Sequence, residues 1–286
     1  MRAAILQFEP GADRAANIAA ADSWLVRAVA DHATLVSLPE MWTCLGGDRE
    51  TKLAQAETLP PPGSAQPTPP GGAYAYLQGA ARTHRITVHG GSIGERDGDT
   101  LFNTSVVFGP DGAELARYRK IHLFDVTTPS GQGYRESALF GAGDQVIVAQ
   151  PGTIDDGEPG LRLGLSICYD LRFPELYLAL RRQGAEVIFV PSAFTAETGR
   201  DHWHILLRAR AIETQCWIVA AATTGTHADA RGQKRTTWGH SMIVDPWGTV
   251  QAELGAEPGI AIATIDRAAL ARVRDAMPVL QHRKLA

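Results

Sequence analysis

The sequence predicts an α/β chain built as two similar layered halves packed face to face, and three observations carry that prediction. Apolar strand runs alternate with helical periods early in each half, and strand–turn–strand pairs close each half. Nothing reads Gly-x-Gly-x-x-Gly after a strand, which removes a nucleotide-binding doubly wound sheet.

The elements follow from local chemistry. A strand over 3–8 stops at Pro10-Gly11, and Asp13 then caps an amphipathic helix with Ile18, Leu25 and Val29 on one face. A buried strand over 33–38 ends at Pro39-Glu40. Residues 60–72 hold six prolines and three glycines, so they form a loop rather than regular structure. The similar segments on either side make it a surface loop, not a domain linker. A helix over 73–84 leads into a strand over 86–93, a turn at Asp97-Gly98-Asp99, a strand over 101–108 and a second turn at Pro110-Asp111-Gly112. The second half repeats the pattern: a strand over 161–167 stopping at Cys168, a helix from Pro174 to about 183, and a strand over 186–190 closed by Pro191. A helix over 201–215 follows, and strands over 217–223, 240–244 and 259–265 complete this half.

Composition narrows the function classes. With 286 residues, 44% hydrophobic and 20% charged, the chain buries a sizeable core without staples. Lys and Arg number 27 against 31 Asp and Glu, a net charge of -4, which argues against nucleic-acid binding or membrane-surface attachment through bulk charge. No apolar run reaches the roughly 18 residues a bilayer span needs. Glu9 and Pro10 come too early for a signal peptide. Cys44, Cys168 and Cys216 are too scattered for a disulfide framework or a zinc knuckle, so a cytoplasmic location is expected.

Cys168 carries the chemistry. It ends an apolar strand and precedes Tyr169-Asp170-Leu171-Arg172-Phe173-Pro174-Glu175. At such an elbow the sulfur is expected at the sheet edge and exposed, its pKa lowered from about 8.5 by the helix N-terminus and any lysine. The plainer reading is an inert buried cysteine, which fits Cys44 and Cys216. A nucleophile also needs a base and an oxyanion partner. Glu40, directly after a buried strand, and Lys120, at the end of a strand from the second hairpin, are the candidates; a structural ion pair between them is the alternative. His202 and His204, two apart on a helix, point in different directions and read as surface histidines.

Together, Leu38-Pro39-Glu40, Tyr118-Arg119-Lys120-Ile121-His122-Leu123 and Ile167-Cys168-Tyr169-Asp170-Leu171-Arg172-Phe173-Pro174-Glu175 resemble the nitrilase superfamily of carbon–nitrogen hydrolases. The resemblance covers nearly the whole chain. It implies one domain, 1–286, folded as a nitrilase-like four-layer α-β-β-α sandwich of two pseudo-symmetric halves. It places a catalytic set on Glu40, Lys120 and Cys168, with a second glutamate on Glu136. The segments 191–194, 208–216 and 239–248 look most like the deaminated glutathione amidase branch, with ω-amidases less similar.

The chemistry so implied is amide hydrolysis through a thioester. Glu40 is base and then acid, with burial expected to hold its pKa near the working pH. Lys120 and the Tyr169 N–H stabilise the oxyanion, Glu136 orients Lys120 or the substrate, Arg172 grips a substrate carboxylate and Phe194 lines the pocket. The basic stretch 226–235, with Arg231, Lys234 and Arg235, favours a longer substrate with a second carboxylate. Insertions near Pro67 and Asp155 look peripheral. The partner expected is a small amide, with no nucleic acid, membrane, metal or organic cofactor, and the chain is expected to form a homodimer or larger homo-oligomer through 174–183 and 201–215. The competing functions are a nitrilase or carbamoylase with the same triad and a non-catalytic binding scaffold.

Overall fold

The computed structural model describes residues 1–62, 70–150, 160–228, 232 and 234–284. In chain order the first half runs β1 (Arg2–Gln7), α1 (Arg14–Ala30), β2 (Leu35–Ser37), α2 (Arg49–Gln55), α3 (Ala73–His84), β3 (Thr87–His89), β4 (Ile93–Asp97), β5 (Thr100–Phe108) and β6 (Glu114–Arg119). A connecting stretch carries the hairpin β7 (Asp125–Thr127) and β8 (Gly133–Arg135) and the short β9 (Phe140–Gly141). The second half contains β10 (Val148–Ala149), β11 (Leu163–Leu165), α4 (Pro174–Arg182), β12 (Val187–Phe189), the single turn α5 (Ala196–Thr198), α6 (His204–Thr214) and β13 (Trp217–Ala220). It continues through the hairpin β14 (Thr224–Ala228) and β15 (Lys234–Trp238), then β16 (Met242–Val244) and β17 (Val250–Glu253). The chain closes with β18 (Gly259–Thr264), α7 (Arg267–Ala276) and α8 (Val279–His282).

Two sheets result. The first has the order β18-β1-β2-β3-β5-β4, with β6 and β9 also on β5; the second has the order β10-β11-β12-β13-β16-β17. Each is built on a parallel trio, β1-β2-β3 or β11-β12-β13, followed by antiparallel strands. The two-residue alternation of strands sorts side chains between faces. Ala3, Ile5, Leu35 and Val107 join one core with the second sheet, α4 and α6, whereas Ala4, Leu6, Val36, Val106 and Phe108 join another with α1 and α3. The layers are therefore helices, sheet, sheet, helices: an α-β-β-α sandwich.

Several boundaries match the sequence reading. Asp13 caps α1, its Oδ1 accepting from the Ala16 N–H at 3.0 Å, and α3 spans the expected residues. The described flanks of the proline loop carry no regular structure; 63–69, with Pro67, lie outside the described residues, as do Asp155, Asp156 and Arg231.

Other expectations are corrected. The single strand expected over 86–93 is two strands, broken where Gly91 adopts φ +60° against the Glu40 loop. The helix expected from 201 begins as a π turn over Gly199–Trp203, and Gly199 there packs against the Trp238 side chain so closely that a Cβ would collide. The strand expected over 217–223 ends at Ala220, and the chain leaves the sheet to form the β14–β15 hairpin. The last strand does not complete the second half: β18 pairs antiparallel with β1, from Arg2–Thr264 to Gln7–Gly259. The elements α2 and β7–β8 were not foreseen, being short and without clear period.

Candidate active site

Three strand ends deliver the reactive side chains. The loop after β2 carries Glu40 and is clamped by the loop after β3. Ser92 N–H donates to Pro39 O at 3.1 Å, Ser92 Oγ accepts from Met41 N–H at 3.0 Å, and Trp42 Nε1 donates to Gly90 O at 2.8 Å. Gly91 lies so close that a Cβ there would strike the Pro39 carbonyl oxygen, so only glycine fits. Lys120 follows β6; its N–H donates to Asn103 O at 2.9 Å, and its carbonyl accepts from Gly143 N–H at 2.8 Å. Cys168 follows β11 with φ +49°, a left-handed conformation that costs a non-glycine residue about 1–2 kcal/mol. Asp170 holds this turn. Its carboxylate accepts from Ile167 N–H at 2.8 Å, from Tyr118 Oη at 2.7 Å and from His122 N–H at 3.0 Å, with His122 Nδ1 at 2.7 Å.

These ends converge. Lys120 Nζ donates to Glu40 Oε1 at 2.8 Å and to Glu136 Oε2 at 2.9 Å. Asn103 Nδ2 donates to the same two carboxylates, at 2.9 and 3.2 Å. Ala193 N–H donates to Glu40 Oε2 at 2.8 Å, and Phe124 N–H to Glu136 Oε2 at 2.7 Å. Glu40, Lys120, Asn103 and Cys168 are all buried.

Burial opposes the Glu40 carboxylate, but the Lys120 charge and hydrogen bonds from Lys120, Cys168 and Asn103 outweigh it, holding its pKa below the usual carboxylate range. Burial likewise opposes the Lys120 ammonium, yet Glu136 and Glu40 push its pKa well up. Both results correct the expectation that burial tunes Glu40 toward neutrality. Cys168 is corrected too. Burial, then the Glu40 charge, push its thiol well above the ordinary value although Lys120 pulls the other way. Its sulfur lies at a cavity wall rather than exposed at a sheet edge, with the residue 7% accessible. The resting arrangement is a neutral thiol beside an ionised carboxylate, which suits general-base attack rather than a preformed thiolate.

The cavity holds about 300 Å³ and is lined by Glu40, Lys120, Glu136, Cys168, Tyr169 and Phe194 among others. Six of the seven predicted site residues thus meet. Arg172 is the exception and a correction: it is not among the lining residues. Its guanidinium lies over the Tyr169 and Phe194 rings, 5.8 and 5.4 Å from their centroids, and its Nη1 meets His202 Nδ1 at 3.2 Å. Asp170, two residues earlier in the chain, makes no pair with it, being committed to the elbow. Cys44 is a second correction, since it lines the cavity as well as packing. Cys216 is plain packing, its thiol donating to Ala185 O at 3.1 Å. Among the described residues, no group of three or more His, Cys, Asp or Glu could hold a metal ion.

Sequence reasoning missed Asn103 and understated Asp170. Asn103 did leave a signal: an amide at the centre of the otherwise apolar and hydroxylic β5, where asparagine is disfavoured. Asp170 was visible in the motif after Cys168 but was given no role there.

Comparison with known proteins gives a consistent picture. Residues 2–275 match the family model described as carbon-nitrogen hydrolase. The deaminated glutathione amidase of Synechocystis sp. is 44% identical over 284 residues, which is 98% of this chain and 97% of that protein. Omega-amidase NIT2 of Homo sapiens is 36% identical over 285 residues, covering 99% of this chain and 95% of the relative. Among solved structures, Nit3 of Saccharomyces cerevisiae, described as a member of branch 10 of the nitrilase superfamily, superposes with a TM-score of 0.83. It is 29% identical, and the match covers 100% of this chain and 97% of that one.

Proposed function

The chain belongs to the carbon–nitrogen hydrolase family, and from that premise we propose that it is a cysteine-dependent amidase of small 2-oxo acid amides. Its substrate is deaminated glutathione, cleaved to 2-oxoglutarate and cysteinyl-glycine. The observation that carries the mechanism is the meeting of Glu40, Lys120 and Cys168 in one cavity wall, with Lys120 Nζ donating to Glu40 Oε1 at 2.8 Å; it favours an ionised Glu40 and a neutral Cys168 thiol.

The steps follow from those protonation states. As the Cys168 sulfur bonds to the amide carbonyl carbon, its proton passes to Glu40. The carbonyl electron pair moves to oxygen, where Lys120 Nζ and the Tyr169 N–H receive the negative charge. Donors of this kind contribute about 3–4 kcal/mol each in other hydrolases. When the tetrahedral adduct collapses, the C–N bond breaks and Glu40 returns the proton to the departing nitrogen, leaving a thioester. Glu40 then takes a proton from water, hydroxide adds to the thioester carbonyl, and the sulfur leaves as its proton is restored. Glu136 keeps Lys120 in place by pairing with it, and Asn103 ties both carboxylates to that ammonium. No step calls on a metal or organic cofactor.

The substrate assignment rests on the likeness to the Synechocystis amidase, with 44% identity along nearly the full length. The ω-amide of a short 2-oxo acid is the second reading, favoured by the match to omega-amidase NIT2. A panel of deaminated glutathione, 2-oxoglutaramate, acetamide and a plain nitrile tests both. Deaminated glutathione should show the highest kcat/KM, and Cys168→Ala should remove all turnover while keeping the fold. Comparable rates on acetamide or the nitrile would defeat the substrate assignment alone; turnover by Cys168→Ala would defeat the mechanism.

Residues 1–286 act as one unit, since one core joins side chains of both sheets. Three unpaired cysteines suit a cytoplasmic setting, and among the described residues no helix is long and apolar enough to cross a membrane. The protein works as a homodimer joined along α6, which leaves Ile205 68% and Ile212 51% accessible on one face beside Trp247 at 58%.

A further inference from the structure

Among the described residues, the charges lining the cavity do not balance. Their carboxylates are those of Glu40 and Glu136, and Lys120 and Asn103 engage both. Three more cationic side chains, Lys52, Arg135 and Arg235, line the same space. They come from three separate places, α2, β8 and β15, so their meeting is a property of the fold rather than of one charged run.

They are not equivalent. Arg135 is tied back, its Nη1 donating to Tyr134 O at 2.8 Å and Val126 O at 3.2 Å. Lys52 has a partner of its own. Arg235 is half-buried on the β14–β15 hairpin, where it pairs in register with His227. Among the described residues its guanidinium makes no hydrogen bond or ion pair. Glu197, whose charge also reaches Tyr134, is occupied by the Ser130 N–H at 3.0 Å and Ser130 Oγ at 2.8 Å. Arg235 itself is part of the cavity lining, and Tyr134 in the same lining feels its charge. A half-buried guanidinium with unused donors is a ready receptor for a carboxylate.

We propose that Arg235 is the specificity-determining residue for the amine side of the substrate, binding a terminal carboxylate on the leaving group. This deepens the amidase reading above and rests on it. The ligand class is a dianionic amide: an oxo-acid carboxylate on the acyl side, and a carboxylate-ended, dipeptide-sized amine on the other. The short ω-amides release ammonia and present no such group, so Arg235 separates the two substrate classes while Cys168 treats them alike.

The test is a ratio. In wild type, Arg235→Met and Arg235→Lys, kcat/KM is measured for deaminated glutathione, for the same compound with its terminal carboxylate amidated, and for 2-oxoglutaramate. The expected result is that Arg235→Met lowers the preference for deaminated glutathione over 2-oxoglutaramate at least tenfold, the size of one lost charge-assisted hydrogen bond. Amidation should lower wild-type activity by a similar factor and have little further effect in Arg235→Met, and Arg235→Lys should recover part of the preference. An unchanged ratio in Arg235→Met, or equal losses on both substrates, overturns the proposal and leaves the amidase reading standing. A wild type that hydrolyses 2-oxoglutaramate but not deaminated glutathione removes the long-substrate reading and this proposal with it.

Discussion

At the scale of single residues, the site works by setting two acids against their habits. A buried carboxylate ordinarily gains a proton and a cysteine near a lysine ordinarily loses one; here Glu40 stays ionised and Cys168 stays protonated. Lys120 decides the matter for Glu40, because it donates directly to the carboxylate; for Cys168, burial and the Glu40 charge outweigh it. The pH dependence follows with a definite sign. In the proposed mechanism Glu40 is the base only while ionised, so activity should be lost as pH falls through its lowered pKa, below the ordinary carboxylate value near 4.3. On the alkaline side, the raised thiol pKa means no gain through pH 8–9, where an unperturbed cysteine would ionise. A kcat/KM profile should therefore be flat across neutrality. A rise with a midpoint near pH 8.5 would point to a thiolate nucleophile instead.

At the scale of elements, the sequence was informative where chemistry is local and silent where it is not. Asp13, the period of α1 and the limits of α3 are local, and they were legible. Glu40, Lys120 and Cys168 were legible as strand-end residues, Glu40 and Cys168 because an apolar run stops beside each and Lys120 because a hairpin strand ends there. The break between β3 and β4 was not, since it serves the close approach of Gly91 to a loop some fifty positions earlier. Arg172 was misplaced because residue type gives a guanidinium its chemistry but not its direction. Arg235 was legible only as part of a basic run, and its place in the cavity depends on where β15 folds. The α6 face offers a prediction of its own. Ile205 and Ile212 are two helical turns apart and both exposed. Ile212→Glu should give a monomer by light scattering where wild type gives a dimer, and a monomeric wild type would end that reading.

At the scale of the whole molecule, the two sheets meet around a histidine. His89 sits between Ser37 Oγ at 2.8 Å and Ser105 Oγ at 3.0 Å, and stacks on Phe189 of the opposite sheet at 4.1 Å. Burial pushes its pKa down to about 3, whereas in the unfolded chain it titrates near 6.5. Between those values the unfolded chain binds a proton that the folded one refuses. The stability this group contributes is therefore complete above about pH 6.5 and drains away as pH falls toward 3, at roughly 1.4 kcal/mol per pH unit. Denaturant titrations between pH 7 and 4 should show a shallower fall for His89→Gln than for wild type. Parallel curves would assign the acid sensitivity elsewhere.

The pairing of β18 with β1 reaches beyond the finished molecule to the way it is made. Met1 N meets Ile265 O at 3.3 Å across a separation of 264 residues. The first sheet therefore contains a very long loop closure. During synthesis β1 is made before the other described strands and waits with one edge open until β18 has left the ribosome. An unpaired apolar strand edge is an aggregation hazard for as long as it lasts. The helices that cover the outer face of the sheet can assemble early, but they do not seal that edge. The strand that closes this edge of the first sheet is thus the last of the described strands to be made.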